Sequence, residues 1–181
     1  MEGIAKGLRR IRVTLAVLFT VVATLVLSTS PALAAGTYSG LAYVYGADQF
    51  EDDWGNEGVL STSTHTESNA TCLWQDILWA DGYLSASDID GDFGAKTKAA
   101  TIAWQTKKKL SDVDGVVGKE TFGRADDGLR EWDEDNGTLT LYYNGAYYQP
   151  TIKRQANGTY GFYVAGTDEY RLAGYDYRSC S

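Results

Sequence analysis

The chain is poor in the side chains that most catalytic and metal centres use. Its 181 residues include one histidine, His65, and two cysteines, Cys72 and Cys180. A zinc peptidase site needs three or four His, Cys or carboxylate ligands, and this supply does not provide them. The same shortage removes Cys–His and Ser–His nucleophilic chemistry, unless His65 were the base, and it sits in the polar run "STSTHTES". Calcium fares no better. "DIDGD" spaces Asp88, Asp90 and Asp92 two apart, but an EF-hand loop needs Gly at its sixth position, where Phe93 stands, and Glu at its twelfth. No metal or cofactor is expected.

Positive charge is scarce beyond the first dozen residues. "MEGIAKGLRRIR" is basic, Val13 to Leu27 is apolar apart from its threonines, and "STSPALAA" ends in small residues. This is the pattern of a secretory signal peptide over residues 1–34, with Ala35 as a near alternative cut. The apolar run falls short of the roughly 20 residues of a membrane span, so a removed leader is preferred to an anchor. Four of the 16 Lys and Arg and one of the 24 Asp and Glu lie in that leader, leaving 12 against 23 and a net charge of −11. Such a surface disfavours nucleic acid and anionic lipid, because neutralising phosphates takes Lys and Arg. The expected product is secreted and free of the membrane, and we read it as a monomer.

Two cysteines in an exported chain read as one disulfide, Cys72–Cys180, which would contribute ~4–5 kcal/mol through unfolded-chain entropy. A reactive thiol would need an activating neighbour. Two carboxylates suffice for glycoside hydrolysis, and Glu51, Asp52 and Asp53 or the cluster from Glu131 to Asp135 offer them. Charge runs are more often solvated faces, so the chain is expected not to be an enzyme.

Residues 35–69 show no clean period and read as an irregular or linker segment. In "ATCLWQDILWADGYL", Leu73, Trp74, Ile77 and Leu78 recur at helical spacing, and Asp81-Gly82 is a stop signal. "AKTKAATIAWQTKKKL" predicts a second helix with Ala99, Ala100, Ala103 and Trp104 as its apolar stripe, and a third starts after Gly118. "EWDEDNG" reads as an acidic hinge. Residues 136–181 then read as an antiparallel meander of about four strands with hairpin turns at Asn136-Gly137, Asn144-Gly145 and Asn157-Gly158. Nine of the 13 tyrosines follow Trp132. Half of Tyr142, Tyr143, Tyr147, Tyr148, Tyr160, Tyr163 and Tyr170 should pack inward. The rest could stack on sugars, unless tyrosine is there only as a good strand residue. The fold class is α+β.

One pattern occurs twice. "DGDFGAKT" from Asp90 and "DGVVGKET" from Asp114 both read Asp-Gly-x-x-Gly-x-x-Thr. Gly91 and Gly115 can take backbone conformations closed to other residues, and the aspartates can accept amides within the turn. With Gly94 and Gly118 as N-caps, Thr97 and Thr121 fall at the third helical position, where a hydroxyl could answer a free amide. Each turn then launches a helix, and direct ligand contact is the alternative.

These residues carry a resemblance. Gln75, Gly82, Tyr83, Asp90, Gly91, Phe93, Gly94, Thr97, Ala100, Gln105, Asp114, Gly115, Gly118 and Thr121 follow, in order, the pattern of the peptidoglycan-binding domain appended to many bacterial wall hydrolases. The likeness spans roughly residues 70–125 and none of the Tyr-rich tail. Three departures stand out: Trp104 replaces a usual Phe, Lys109 replaces a Gly common before Leu110, and "LSDVDG" is one residue longer. The resemblance implies a three-helix bundle over residues 70–128 with a shallow groove, and a wall polymer as ligand, through its peptide stem or glycan. We place the groove where the first turn meets the end of the first helix, with Tyr83, Asp92, Phe93 and Lys96 as contacts; Lys96 there could meet a stem carboxylate at a helix start. The function implied is non-catalytic wall binding. A secreted inhibitor or partner-binding protein built on the same scaffold and a wall hydrolase are the other readings.

Overall fold

A computed structural model describes residues 36–180; the leader read at residues 1–34 lies outside the described residues. Three helices, α1 (Asn69–Ala80), α2 (Ala95–Lys108) and α3 (Lys119–Asp126), precede a five-stranded antiparallel sheet in the order β1-β2-β3-β4-β5. The strands are β1 (Leu129–Asp135), β2 (Thr138–Tyr143), β3 (Thr151–Arg154), β4 (Tyr160–Tyr163) and β5 (Tyr170–Leu172). The protein is α+β, a helical module followed by a Tyr-rich meander, and both parts contribute to one hydrophobic core. No helix among the described residues is long and apolar enough to cross a membrane.

The central element is α1, in which every residue but Trp79 is buried. Ser68 starts it, its side chain accepting the Thr71 amide at 3.0 Å. Its end follows from Asp81-Gly82. Gly82 takes φ +81°, and the Gly82 and Tyr83 amides donate to the Trp79 and Leu78 carbonyls, a Schellman closure. Helix α2 ends on Lys109 at φ +60°, the left-handed position that glycine usually fills.

The stripe expected on α2 is corrected. Ala99 and Ala103 are exposed, and the inward face is Thr97, Ala100, Thr101, Trp104 and Gln105. Polar residues can be buried here because each finds a partner: Thr101 Oγ1 accepts Trp74 Nε1 at 2.9 Å and donates to the Thr97 carbonyl at 2.8 Å.

The sheet departs from expectation in three ways. The supposed hinge "EWDEDNG" is mostly strand β1, which buries only Leu129 and shifts register between Glu131 and Asp133. Charge along an exposed edge blocks pairing with other chains, so its acids mark an edge strand rather than a linker. Asn136-Gly137 turns β1 into β2 with φ +50° and +78°, as expected. Asn144-Gly145 does not close a two-residue hairpin; the chain runs to Thr151 before pairing resumes. Asn157-Gly158 belongs to a three-residue turn in which Gly158 alone is left-handed. Of the seven tyrosines considered for stacking, Tyr143 and Tyr160 are buried and Tyr147 and Tyr148 are exposed; the others are intermediate.

Residues 36–68 hold a 3-10 helix, Phe50–Asn56, and isolated bridges to the rest of the chain. They also supply core: Val44, Trp54 and Leu60 are fully buried, with Trp54 edge-on to Phe122 and Tyr160. A Cys72–Cys180 disulfide ties α1 to the chain end across a sequence separation of 108.

Candidate functional site

The two Asp-Gly turns have one construction, and a buried glutamine from the preceding helix makes it. Helix α1 sends Gln75 into the first turn. Its Oε1 accepts the Asp90 and Gly91 amides at 3.0 and 2.8 Å. Its Nε2 donates to Asp90 Oδ1, the Asp92 carbonyl and Thr97 Oγ1 at 2.9 to 3.1 Å. Helix α2 sends Gln105 into the second turn. There Oε1 accepts the Gly115 amide at 2.9 Å, and Nε2 donates to the Val116 carbonyl and Thr121 Oγ1 at 2.8 and 3.0 Å.

Asp90 and Asp114 each accept an amide two residues on, at 2.9 and 2.8 Å. Gly94 and Gly118 cap α2 and α3. The threonines do something else than expected. Neither hydroxyl accepts a helix amide; Thr97 donates to the Asp92 carbonyl and Thr121 to the Val116 carbonyl, while each accepts its glutamine. They relay the brace to the turn's far side. Only the first glycine of each turn needs its freedom. Gly91 and Gly115 lie at φ +73° and +75°, and a Cβ would stand 2.7 Å from Cys72 Sγ and from Lys98 Cγ respectively.

The proposed contacts separate on the surface. Asp92 is exposed. Phe93 is fully buried, so it moves from the contacts to the core: its amide donates to the Thr66 carbonyl, and its ring faces inward with the other core residues. Lys96 is exposed but already paired, at 2.6 Å, with Asp88. That pairing, with hydrogen bonds from Ser85, holds the Asp88 carboxyl down to about 2. Tyr83 lies at the other end, beyond α1, where partial burial and the neighbouring Asp81 and Tyr147 push its phenol up.

Asp81, read from sequence only as a helix stop, is a hub. Its Oδ2 accepts Trp104 Nε1, the Tyr143 hydroxyl and Lys108 Nζ at 2.7, 2.8 and 3.0 Å, and its Oδ1 accepts the Ala146 amide at 2.9 Å. Burial alone would push this carboxyl up, but the hydrogen bonds from Tyr143, Ala146, Lys108 and Trp104 outweigh it and hold it down. The usual Phe at position 104 would lack the indole N–H. Nothing in the local sequence signals this role, since the partners come from α2, β2 and the β2–β3 loop.

The extra residue before the second turn is also held. Glu120 accepts the Ser111 amide and hydroxyl, both at 2.8 Å, and the Asp112 amide at 3.3 Å. Beside it a cleft of about 390 Å³ is lined by Tyr38, Asp112, Asp114, Lys119 and Glu120, with Lys119 Nζ over the Tyr38 ring. A second cleft of about 440 Å³ lies on the N-terminal segment, over Asp52, Asp53 and Glu57. The first acidic run is therefore only partly solvated. Asp53 is buried against Arg154 Nη1 at 2.7 Å and the Tyr160 hydroxyl at 2.5 Å. Glu57 accepts the Tyr175 hydroxyl at 2.6 Å, and burial pushes its carboxyl up to about 7.

Residues 68–124, which include both braced turns, match the family described as "Putative peptidoglycan binding domain". That segment is a peptidoglycan-binding-type module, and the Tyr-rich sheet lies outside the match. Two curated proteins are similar over parts of the chain. The Bacillus subtilis (strain 168) protein named "Uncharacterized protein FadG" is 37% identical over 65 residues, 36% of this chain and 11% of that protein. The "Type VI secretion system spike protein VgrG3" of Vibrio cholerae is 31% identical over 114 residues, 52% of this chain and 11% of that protein. The matches thus span about a tenth of each relative's length. No solved structure matches at comparable significance.

Proposed function

We propose that this is a secreted, non-catalytic protein that binds bacterial cell-wall peptidoglycan through the module at residues 68–124. One observation carries the reading: both Asp-Gly turns in the family-matched segment are locked from within by Gln75 and Gln105. A site on a rigid scaffold binds without first ordering its loops. The family match supports a cell-wall context, and the Cys72–Cys180 bond suits an extracellular compartment.

The non-catalytic part rests on how the carboxylates are used. Asp53 is committed to Arg154 and Tyr160, Glu57 to Tyr175, and Glu131 to Asp135 are spread along an exposed edge strand. The commitment of Asp53 and Glu57 to structural partners supports the non-catalytic reading.

Co-sedimentation of the mature chain with purified sacculi, against cellulose as the blank, tests the binding. Enrichment on sacculi with unchanged turbidity is the expected outcome. Equal recovery on both surfaces would favour the inhibitor or partner-binding reading, and a fall in sacculus turbidity would make the protein a wall hydrolase.

A further inference from the structure

The β2–β3 loop is fixed to the end of α1, yet it turns its largest side chains outward. The Tyr147 and Tyr148 amides share the Ala80 carbonyl at 2.9 and 3.2 Å, and the Ala146 amide donates to Asp81 Oδ1. Gly145 is pressed so close that a Cβ would stand 2.7 Å from the Ala80 carbonyl oxygen. On this pinned backbone the Tyr148 ring stacks on Trp79 at 4.2 Å and 6° between planes. The Tyr147 ring lies over Gly82, where any Cβ would meet it at 2.6 Å, and it neighbours Tyr83. Tyr147 is nonetheless 74% exposed and Tyr148 49%.

We propose that Trp79, Tyr83, Tyr147 and Tyr148 form an aromatic platform that binds the saccharide strand of the wall polymer, by stacking of apolar sugar faces on the exposed rings. The assignment rests on the wall-binding reading and narrows its ligand to the glycan. Two physical features support it. Rings held on a hydrogen-bonded loop lose little freedom on binding, which is what makes tyrosine an effective contact residue. Charge separates the two candidate parts of the polymer: an uncharged sugar face is indifferent to a surface of net charge −11, whereas a carboxylated peptide stem is repelled, and Lys96 is already neutralised by Asp88. The platform joins residues of the matched module, Trp79 and Tyr83, to residues outside it, so it gives the Tyr-rich extension a part in recognition.

Titration of the whole mature chain with chitotetraose, a neutral N-acetylglucosamine tetramer, followed by tryptophan fluorescence and calorimetry, tests the platform. The parent should bind saturably, Tyr147→Ala and Tyr148→Ala should each weaken binding at least fivefold, and Tyr147→Phe and Tyr148→Phe should retain it. Trp132→Ala, on the β1 edge, should bind as the parent. Thermal melts confirm that each variant folds. Absence of saccharide binding by the parent, or binding as tight as the parent's by either alanine variant, overturns the platform. If the parent still sediments with sacculi, the wall-binding reading survives that result; if it does not, both fall.

Discussion

Replacing Gln75 by methionine keeps the volume and flexibility of the side chain but removes both ends of the brace. Gln75 is 1% exposed and makes five contacts of 2.8 to 3.1 Å. Its two amide hydrogens serve three acceptors, so about four full hydrogen bonds are lost. At ~1 kcal/mol each, with the Gly91 amide left buried and unpaired, the cost is about 3–5 kcal/mol. Gln105→Met loses three bonds and should cost less, ~2–3 kcal/mol. Urea unfolding of the oxidised protein, followed by tryptophan fluorescence, reads both against the parent. The midpoints should fall in the order parent, Gln105→Met, Gln75→Met at similar slopes. Losses under ~1 kcal/mol for both would mean that the turns hold their shape without the glutamines, and the reasoning would be wrong.

Gly91→Val and Gly115→Val should each cost ~3 kcal/mol or more, combining positive φ with overpacking against Cys72 and Lys98, whereas Gly94→Ala, at φ −79° and in ordinary contact with Asp92 at 3.7 Å, should stay within ~1 kcal/mol; equal thermal shifts for all three would refute the distinction. Without reductant, mass spectrometry should find a Cys72–Cys180 peptide and no alkylated cysteine, and Cys180→Ser should lower stability by ~2–5 kcal/mol. Burial raises Glu57 from 4.5 and Asp126 from 3.8, both to about 7, so from about pH 4.5 for Glu57 and about pH 3.8 for Asp126 up to about pH 7 the folded state keeps protons that the unfolded chain releases. Their stabilisation is therefore complete below that window and is lost as pH rises through about 7. Glu57→Gln should flatten the decline by on the order of 2–3 kcal/mol across the window, and urea midpoints equally steep with pH in parent and variant would contradict this.

The helices were legible because their signals are local. Leu73, Trp74, Ile77 and Leu78 have helical spacing, and Asp81-Gly82 ends α1 by a closure that needs only its own backbone. The first glycine of each repeated turn was legible for the same reason. What stayed hidden depends on partners distant in sequence. Thr97 looks like a cap until Gln75, 22 residues earlier, claims its oxygen. Asn144-Gly145 has hairpin composition, but the following loop instead docks on Ala80 and Asp81. Strand β1 escaped notice because an edge strand with one buried residue carries no alternation. Phe93 sits at the centre of the turn, next to exposed Asp92, and the packing beneath the turn shows that it faces the core. The candidate site was thus half visible: its scaffold was written in the repeat, but the Tyr147 and Tyr148 rings at the end of α1 had no local signal linking them to Trp79.

Hydrogen–deuterium exchange of the protein with and without soluble peptidoglycan fragments tests the central claim most directly, because it locates binding without altering the protein. The account predicts slowed exchange within residues 68–124 and in the loop at residues 144–150 that docks on it. Slowed exchange confined to the cleft over Asp53 and Glu57 or to the edge strand Leu129–Asp135, or no change at saturating fragment, would contradict it.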